Sequence, residues 1–301
     1  MAASVPPTAD TVSADAGGAD AGGADPAELA LLAETFRKTM AAASGHVLDI
    51  ALVQLGWRDL LASLPGVAIP MVFALLGETG AHAPILNDVV LSAAGQPPGG
   101  VVALPYGGGA WVVWERSDRR SDAVDGDLPL RPAPGGSGGV GLAGGGSLAL
   151  AAGRRAVGWW LVGTGRAMLA LARSHALDRV QFGRPLTGFQ AVRHRLAETL
   201  VALEGASAAL AAADALASAG SRDGELAALL AKAAAGQAAL TAARHCQQVL
   251  GGIGFTAEHG LNLHVRRALV LDGLLGSARE LTRAAGARLV AERPAPRLVD
   301  L

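Results

Sequence analysis

The chain has 301 residues, of which 51% are hydrophobic, 17% are charged and 41 are glycine, which excludes a largely disordered protein. Lys plus Arg number 25 and Asp plus Glu 26, a net charge of −1, so no broad field draws the chain to nucleic acid or an anionic membrane surface. The single cysteine, Cys246, excludes a disulfide framework and a cysteine-based metal cluster, and reads as a small buried apolar residue.

Residues 1–25 contain the near-repeat ADAGGADAGGAD and no large side chain after Val12. Such a segment cannot bury enough surface to offset its ordering entropy, so a disordered tail is expected. It also lacks the basic start and apolar core of a signal peptide, and Glu204, Asp214, Glu225 and Lys232 interrupt the Ala-rich stretches further on. A cytoplasmic protein without membrane insertion is expected. Residues 26–94 read as a small helical unit. PAELALLAETFRKTMAAA places Leu29, Leu32 and Phe36 at helical spacing, and further helical pattern covers Asp49–Leu64 and Ile69–Leu76.

Residues 95–147 change character. VVALPY, AWVVWE and LPLRPAP predict two or three short strands, followed by the linker-like GGSGGVGLAGGGS at 135–147. From 148 to 293 the pattern is helical again, with helices expected at about 148–177, 189–219, 224–250, 261–274 and 277–292. FGRPLTG, SRDG and LGGIGF separate the first four, and Pro294 and Pro296 open a short tail, 294–301. The predicted fold class is mainly α: a C-terminal helical bundle, a reduced N-terminal helical unit and a vestigial β region between them.

No common catalytic constellation stands in the sequence. His175, His194, His245, His259 and His264 lack the HxxxH or HExxH spacing of a metal site, and the Gly-rich run lacks the lysine of a phosphate loop. Two local signatures remain. Asp178–Gln190, DRVQFGRPLTGFQ, gathers Arg179, Gln181, Phe182 and Gln190 around a tight turn, a set able to hold a phosphate and stack on a planar ring. Gln247–Phe255, QQVLGGIGF, sets Gln248 beside Gly251 and Gly252, where a backbone can approach a ligand closely. On physical grounds alone, each is equally readable as a plain helix-connecting turn.

Together with LHVRRALVLDGLLGS, these stretches resemble, in order and separation, the C-terminal helical domain of acyl-CoA dehydrogenases over about residues 150–290. The wording AEHGLNLHVRRA is most like short actinobacterial members acting on steroid or branched acyl-CoA side chains. The resemblance implies FAD, bound mainly to a neighbouring subunit. Arg179 would oppose the FAD diphosphate, Phe182 would pack on the cofactor and Gln190 would bond near its adenosine end. Gln248, Gly251 and Gly252 would approach the other side of the ADP portion. Gln181 stands where a small hydroxyl residue is common.

The departures concern chemistry. The family uses a carboxylate to take the acyl α-proton, and a base must lie within hydrogen-bond reach of that proton. One usual position for it is Leu275 here and the alternative is Gly153, neither of which accepts a proton. Asp272, one turn before Leu275, is the remaining candidate. The region 95–147 is also too short for the family's β-domain, Trp111 and Trp114 lack its flavin-ring context, and Arg279 replaces a common glutamine. Residues serving a partner's FAD are kept while those for the chain's own chemistry are absent. The resemblance therefore implies a non-catalytic subunit of a heteromeric acyl-CoA dehydrogenase. Its partners would be a homologous catalytic subunit, the acyl-CoA of the complex and an electron-transfer flavoprotein. A self-sufficient homo-oligomeric enzyme using Asp272 and a flavin-free helical scaffold are the alternatives.

Overall fold

A computed structural model of the chain describes residues 25–116, 128–133 and 146–292. The tail expected before residue 25, most of the Gly-rich linker and the tail after residue 292 lie outside the described residues. Helix α1 (Pro26–Ala42) starts where Asp25 accepts a hydrogen bond from the Ala27 N–H and Pro26 sits at the first position, both favourable at a helix start. It buries Phe36 and Met40.

The helical pattern expected over Asp49–Leu64 is realised as two helices, α2 (Gly45–Gln54) and α3 (Trp57–Ser63). The break falls at Gly56, whose φ of 83° lies in the left-handed region that glycine alone enters without penalty. Helix α4 (Pro65–Thr79) extends beyond the expected Ile69–Leu76, and α5 (Leu86–Ala93) was not foreseen. Residues Leu86 to Leu91 are all buried, the polar Asn87 and Asp88 included, in a helix of only eight residues, too short to display a helical period in sequence.

Strands β1 (Ala103–Tyr106), β2 (Ala110–Trp114) and β3 (Leu130–Pro132) form an antiparallel sheet in that order, with Tyr106 opposite Ala110 and Val113 opposite Arg131. The bundle follows: α6 (Gly146–Asp178), a two-residue ladder of β4 (Val180–Gln181) and β5 (Arg184–Pro185), α7 (Gln190–Ser218), α8 (Gly224–Leu250), α9 (Leu261–Gly273) and α10 (Ala278–Glu292).

Helix α6 is the spine, packed by α4, α7 and α8. Its crossing with α4 is a backbone contact. A Cβ on Gly163 would lie 2.1 Å from the Ala74 carbonyl oxygen, and one on Gly77 would lie 2.4 Å from that of Trp160. Around this crossing runs an aromatic chain. Trp57 meets Phe73 edge-on at 6.2 Å, Phe73 meets Trp160 at 5.9 Å, and Trp160 stacks on Trp114 of β2 at 5.5 Å. Trp114, which lacked a family context in sequence, thus fastens the small sheet to α6.

A buried polar node joins the remaining parts. Arg116 holds both oxygens of Asp49 at 2.7 and 2.8 Å and also pairs with Asp88. Asp88 is fully buried and accepts from the Gly99 N–H at 2.7 Å and the Trp57 indole at 3.2 Å, with Arg58 at 3.6 Å. Asn87 reaches the Trp114 carbonyl. Two carboxylates against two guanidiniums leave no net charge in the node, the condition for keeping ions away from water.

By length and composition alone α7 and α8 would be apolar enough to cross a bilayer, even with the charged residues that interrupt them. In α8 the apolar stretch is 67% buried within the bundle, whereas in α7 it is only 28% buried, leaving an apolar outer face that includes Leu200 and Val201.

Candidate functional site

The joint between α6 and α7 is a hairpin of two-residue strands whose turn is Phe182–Gly183, with φ of 53° and 76°. Two consecutive positive φ values define the primed hairpin turn, which favours Asn-Gly or Gly-Gly. A phenylalanine there costs about 1–2 kcal/mol of backbone strain. The strain is not offset by burial, since Phe182 is 91% exposed and touches Phe189 only edge-on at 6.2 Å. A strained, exposed aromatic is the kind of feature that marks a binding site. Beside it the Arg184 guanidinium stacks 4.1 Å over the Phe189 ring. Arg179 is exposed at the end of α6, and Gln190 opens α7 with its amide 3.3 Å from His194.

At the C-terminus of α8, Gln248 is exposed and Gly251 turns the chain at φ 66°, ψ −142°, a conformation open to glycine. Gly254 is a packing glycine, for a Cβ there would lie 2.8 Å from the Gln247 carbonyl. Gly252 is different. Its φ is ordinary and a Cβ would meet nothing within 4 Å, so neither the backbone nor the fold's packing requires glycine. The open space over Gly251 and Gly252, with the exposed Gln248 beside it, fits close approach of an external group such as the ADP portion of FAD. Of the residues predicted from sequence, the structure sets Gln181 and Phe182 on the hairpin, Arg179 and Gln190 at its two ends, and Gln248, Gly251 and Gly252 at the α8 terminus.

A second locus lies at the turn between α9 and α10. Leu275 has φ 62° and is fully buried; its N–H donates to the Pro105 carbonyl at 2.8 Å, and its own carbonyl accepts from Arg154 Nε at 3.3 Å. A Cβ on Gly153 would lie 2.8 Å from Leu275 Cδ1 and 3.0 Å from Val90 Cγ2. The start of α6, the end of α5 and this turn therefore close on one another through aliphatic contact. The Tyr106 ring lies over Gly273, where a Cβ would be 2.6 Å from the ring. Glu280 accepts from the N–H of Gly108 at 2.7 Å, and from the N–H and hydroxyl of Ser277 at 2.9 and 2.8 Å. These bonds hold its carboxyl down to about 2 and sew the β1–β2 hairpin to the start of α10.

The Asp272 carboxylate lies against α8 and the start of α10. Its Oδ1 accepts from the Ala278 N–H at 3.1 Å, capping α10, and lies 2.2 Å from where a Cβ on Gly236 of α8 would stand. Below it Lys232, fully buried, donates to the carbonyls of Asp272 and Gly276. Burial pushes its amine down to about 7, against the partial support of Asp272. Lys232 and Glu280 went unassigned in the sequence reading, although a lone lysine inside AALLAKAAAGQAAL was a signal that something must receive its amine. His175 and His259, which line a cleft with Arg179, were seen only as histidines without metal spacing.

Residues 146–290 match the family described as the acyl-CoA dehydrogenase C-terminal domain. The helical bundle belongs to the acyl-CoA dehydrogenase family. Over 125 residues the chain is 44% identical to acyl-CoA dehydrogenase FadE34 of Mycobacterium tuberculosis, covering 40% of this chain and 17% of that protein. It is 38% identical over 122 residues to acyl-CoA dehydrogenase IpdE2 of the same organism, covering 40% of this chain and 36% of that protein. The matches thus span only about a sixth to a third of these relatives' lengths. Among solved structures, the Tcur3481–Tcur3483 steroid ACAD superposes with a TM-score of 0.65 at 21% identity, covering 89% of this chain and 98% of that one. The ChsE4–ChsE5 complex of Mycobacterium tuberculosis gives 0.65 at 18% identity, covering 90% and 99%. These two likenesses establish that the fold extends to the N-terminal helices and sheet. Within this acyl-CoA dehydrogenase fold, the hairpin and the α8 terminus offer exposed polar and aromatic groups, while the α9–α10 turn is closed.

Proposed function

We propose that this chain is the non-catalytic, FAD-site-completing subunit of a heteromeric acyl-CoA dehydrogenase, which introduces a double bond between the α and β carbons of an acyl-CoA. The observation that carries the proposal is the contact between Leu275 and Gly153. At the two positions where the family resemblance puts the base stand an aliphatic side chain and a hydrogen atom, pressed together with no room for a substrate between them. Proton abstraction then falls to the partner.

FAD, when bound, supplies the hydride acceptor. The residues of this chain bind and orient it across the subunit interface. Arg179 opposes the diphosphate charge, Phe182 packs on the cofactor, Gln181 and Gln190 offer amide donors, and Gln248 with Gly251 and Gly252 close the other side of the ADP portion. The strain and exposure of Phe182 support this over a flavin-free scaffold, which gains nothing from either. The exposed apolar face of α7, which begins at Gln190, supports a homologous subunit as the neighbour that covers it. The steroid ACAD among the structural neighbours supports a steroid side chain as the acyl group, and the family resemblance brings with it a cytoplasmic setting and an electron-transfer flavoprotein as acceptor.

The test uses the complex with an acyl-CoA dehydrogenase subunit that retains its carboxylate base. Asp272→Asn in this chain, which keeps the capping oxygen, leaves turnover unchanged, whereas Arg179→Ala lowers the flavin retained after gel filtration. Loss of turnover in Asp272→Asn with flavin still bound would assign the base to this chain and end the proposal.

A further inference from the structure

His175 and Arg179 are four residues apart at the end of α6 and share one face of it, the Arg179 N–H bonding to the His175 carbonyl at 2.9 Å. The segment after the α8 terminus brings His259 to the same place. Together with Leu171, Ser174 and Asp178 these residues line a cleft of about 360 Å³. The cleft therefore brings the start of the first sequence signature against His259, a residue eighty positions beyond Arg179 in the chain.

The hydrogen bonds fix what the cleft offers. His259 Nδ1 accepts from the Leu261 N–H at 3.0 Å, so the proton of the neutral ring resides on Nε2, leaving that nitrogen as a donor. The Ser174 hydroxyl is turned to Asp178 Oδ2 at 3.3 Å, which occupies one oxygen of the only carboxylate among the lining residues. Burial, then His259 and then Arg179, lower the pKa of His175, with Asp178 acting in the opposite direction. The two rings and the guanidinium are thus close enough to feel one another's charge, an arrangement that a phosphate group relieves.

We propose that His175 and His259 complete, with Arg179, a cleft that binds the diphosphate of an adenosine diphosphate moiety. The inference rests on the reading of Arg179 as an FAD ligand and adds two residues to it. FAD and coenzyme A both carry this moiety, and the lining of the cleft by Arg179, where the hairpin begins, assigns it to FAD.

The test is calorimetric titration of the full-length chain with ADP, and competition of bound ADP by FAD and by coenzyme A. ADP binds, FAD displaces it more effectively than coenzyme A, and His175→Ala and His259→Ala each weaken it about tenfold, as loss of one charge-assisted bond does. His259→Gln, which keeps a side-chain donor, recovers part of the loss. Addition of inorganic pyrophosphate to the unsubstituted chain shifts the imidazole NMR signals of His175 and His259 and leaves that of His245 in place, a readout that does not depend on any variant folding. If Arg179→Ala weakens ADP while both histidine variants bind like the parent, the inference falls and the flavin reading stands. Preferential displacement by coenzyme A overturns the assignment to FAD. Absence of ADP binding at millimolar concentration overturns the inference, while the flavin reading is decided separately by the flavin retained in the complex.

Discussion

Leu275 Cδ1 lies 2.8 Å from the point at which a side chain on Gly153 would begin, inside a pocket closed further by Val90 Cγ2 at 3.0 Å. This contact connects three segments far apart in sequence. It converts the region where the family carries a proton acceptor into part of the hydrophobic core.

Installing a carboxylate there does not restore an enzyme. Leu275→Glu buries a carboxyl in the aliphatic contact with Gly153, and is expected to cost about 3–5 kcal/mol. Thermal unfolding should fall by roughly 10 °C or more, and no enoyl-CoA should form from the chain alone. A variant of unchanged stability that turns over acyl-CoA would show that the pocket is open to substrate.

Phe182 should display a conflict between stability and binding. Phe182→Asn places the residue favoured at a primed turn before Gly183, and should raise the stability of the isolated chain by about 1 kcal/mol. The same change should reduce flavin retention in the complex. Unaltered flavin content in Phe182→Asn would remove the reason for the strained aromatic.

Lys232 gives a stability signature against pH. Its folded-state pKa, about 7, lies below the ordinary lysine value of 10.5, so the unfolded chain binds the extra proton between these limits. The stability contributed by Lys232 is therefore fully present above 10.5 and lost as pH falls toward 7. The neighbouring charges are Asp272, Arg154 and Glu280. The stability difference between the parent and Lys232→Met should grow from pH 7 to pH 10 in urea titrations. Parallel curves would mean that the ammonium stays charged against Asp272.

Arg116 should prove essential to the N-terminal half. Arg116→Met leaves Asp49 and Asp88 buried without the cation they share and should destabilise by about 3–5 kcal/mol, read from the urea midpoint. Replacing Asp49 by Asn as well should recover part of the loss, since the charge that loses both bonds to Arg116 is then gone, while Asp88 keeps Arg58.

How much of this was legible in the sequence depended on the distance over which each feature is encoded. Helix α8 occupies Gly224–Leu250, where its pattern placed it, because glycine and charge punctuate an Ala-rich periodic run locally. Leu275 and Gly153 were legible as departures from a family pattern. Their contact was not, since nothing in two short motifs tells that the side chain of one fills the space left by the other. The node of Asp49, Asp88 and Arg116 was invisible for the same reason, each charge reading as an ordinary surface residue. Helix α5 failed on its length of eight residues, and the split between α2 and α3 on a single Gly56. His175 and His259 carried no signal beyond their residue type, and only the fold sets them beside Arg179.

The central claim is that this chain completes a flavin site whose chemistry belongs to a partner. The visible absorbance of the chain purified alone, and again with a homologous acyl-CoA dehydrogenase subunit carrying an intact base, tests it most directly. The account predicts a colourless chain alone and a stable yellow complex containing about one FAD for each pair of subunits. A yellow chain that desaturates acyl-CoA without a partner would contradict it.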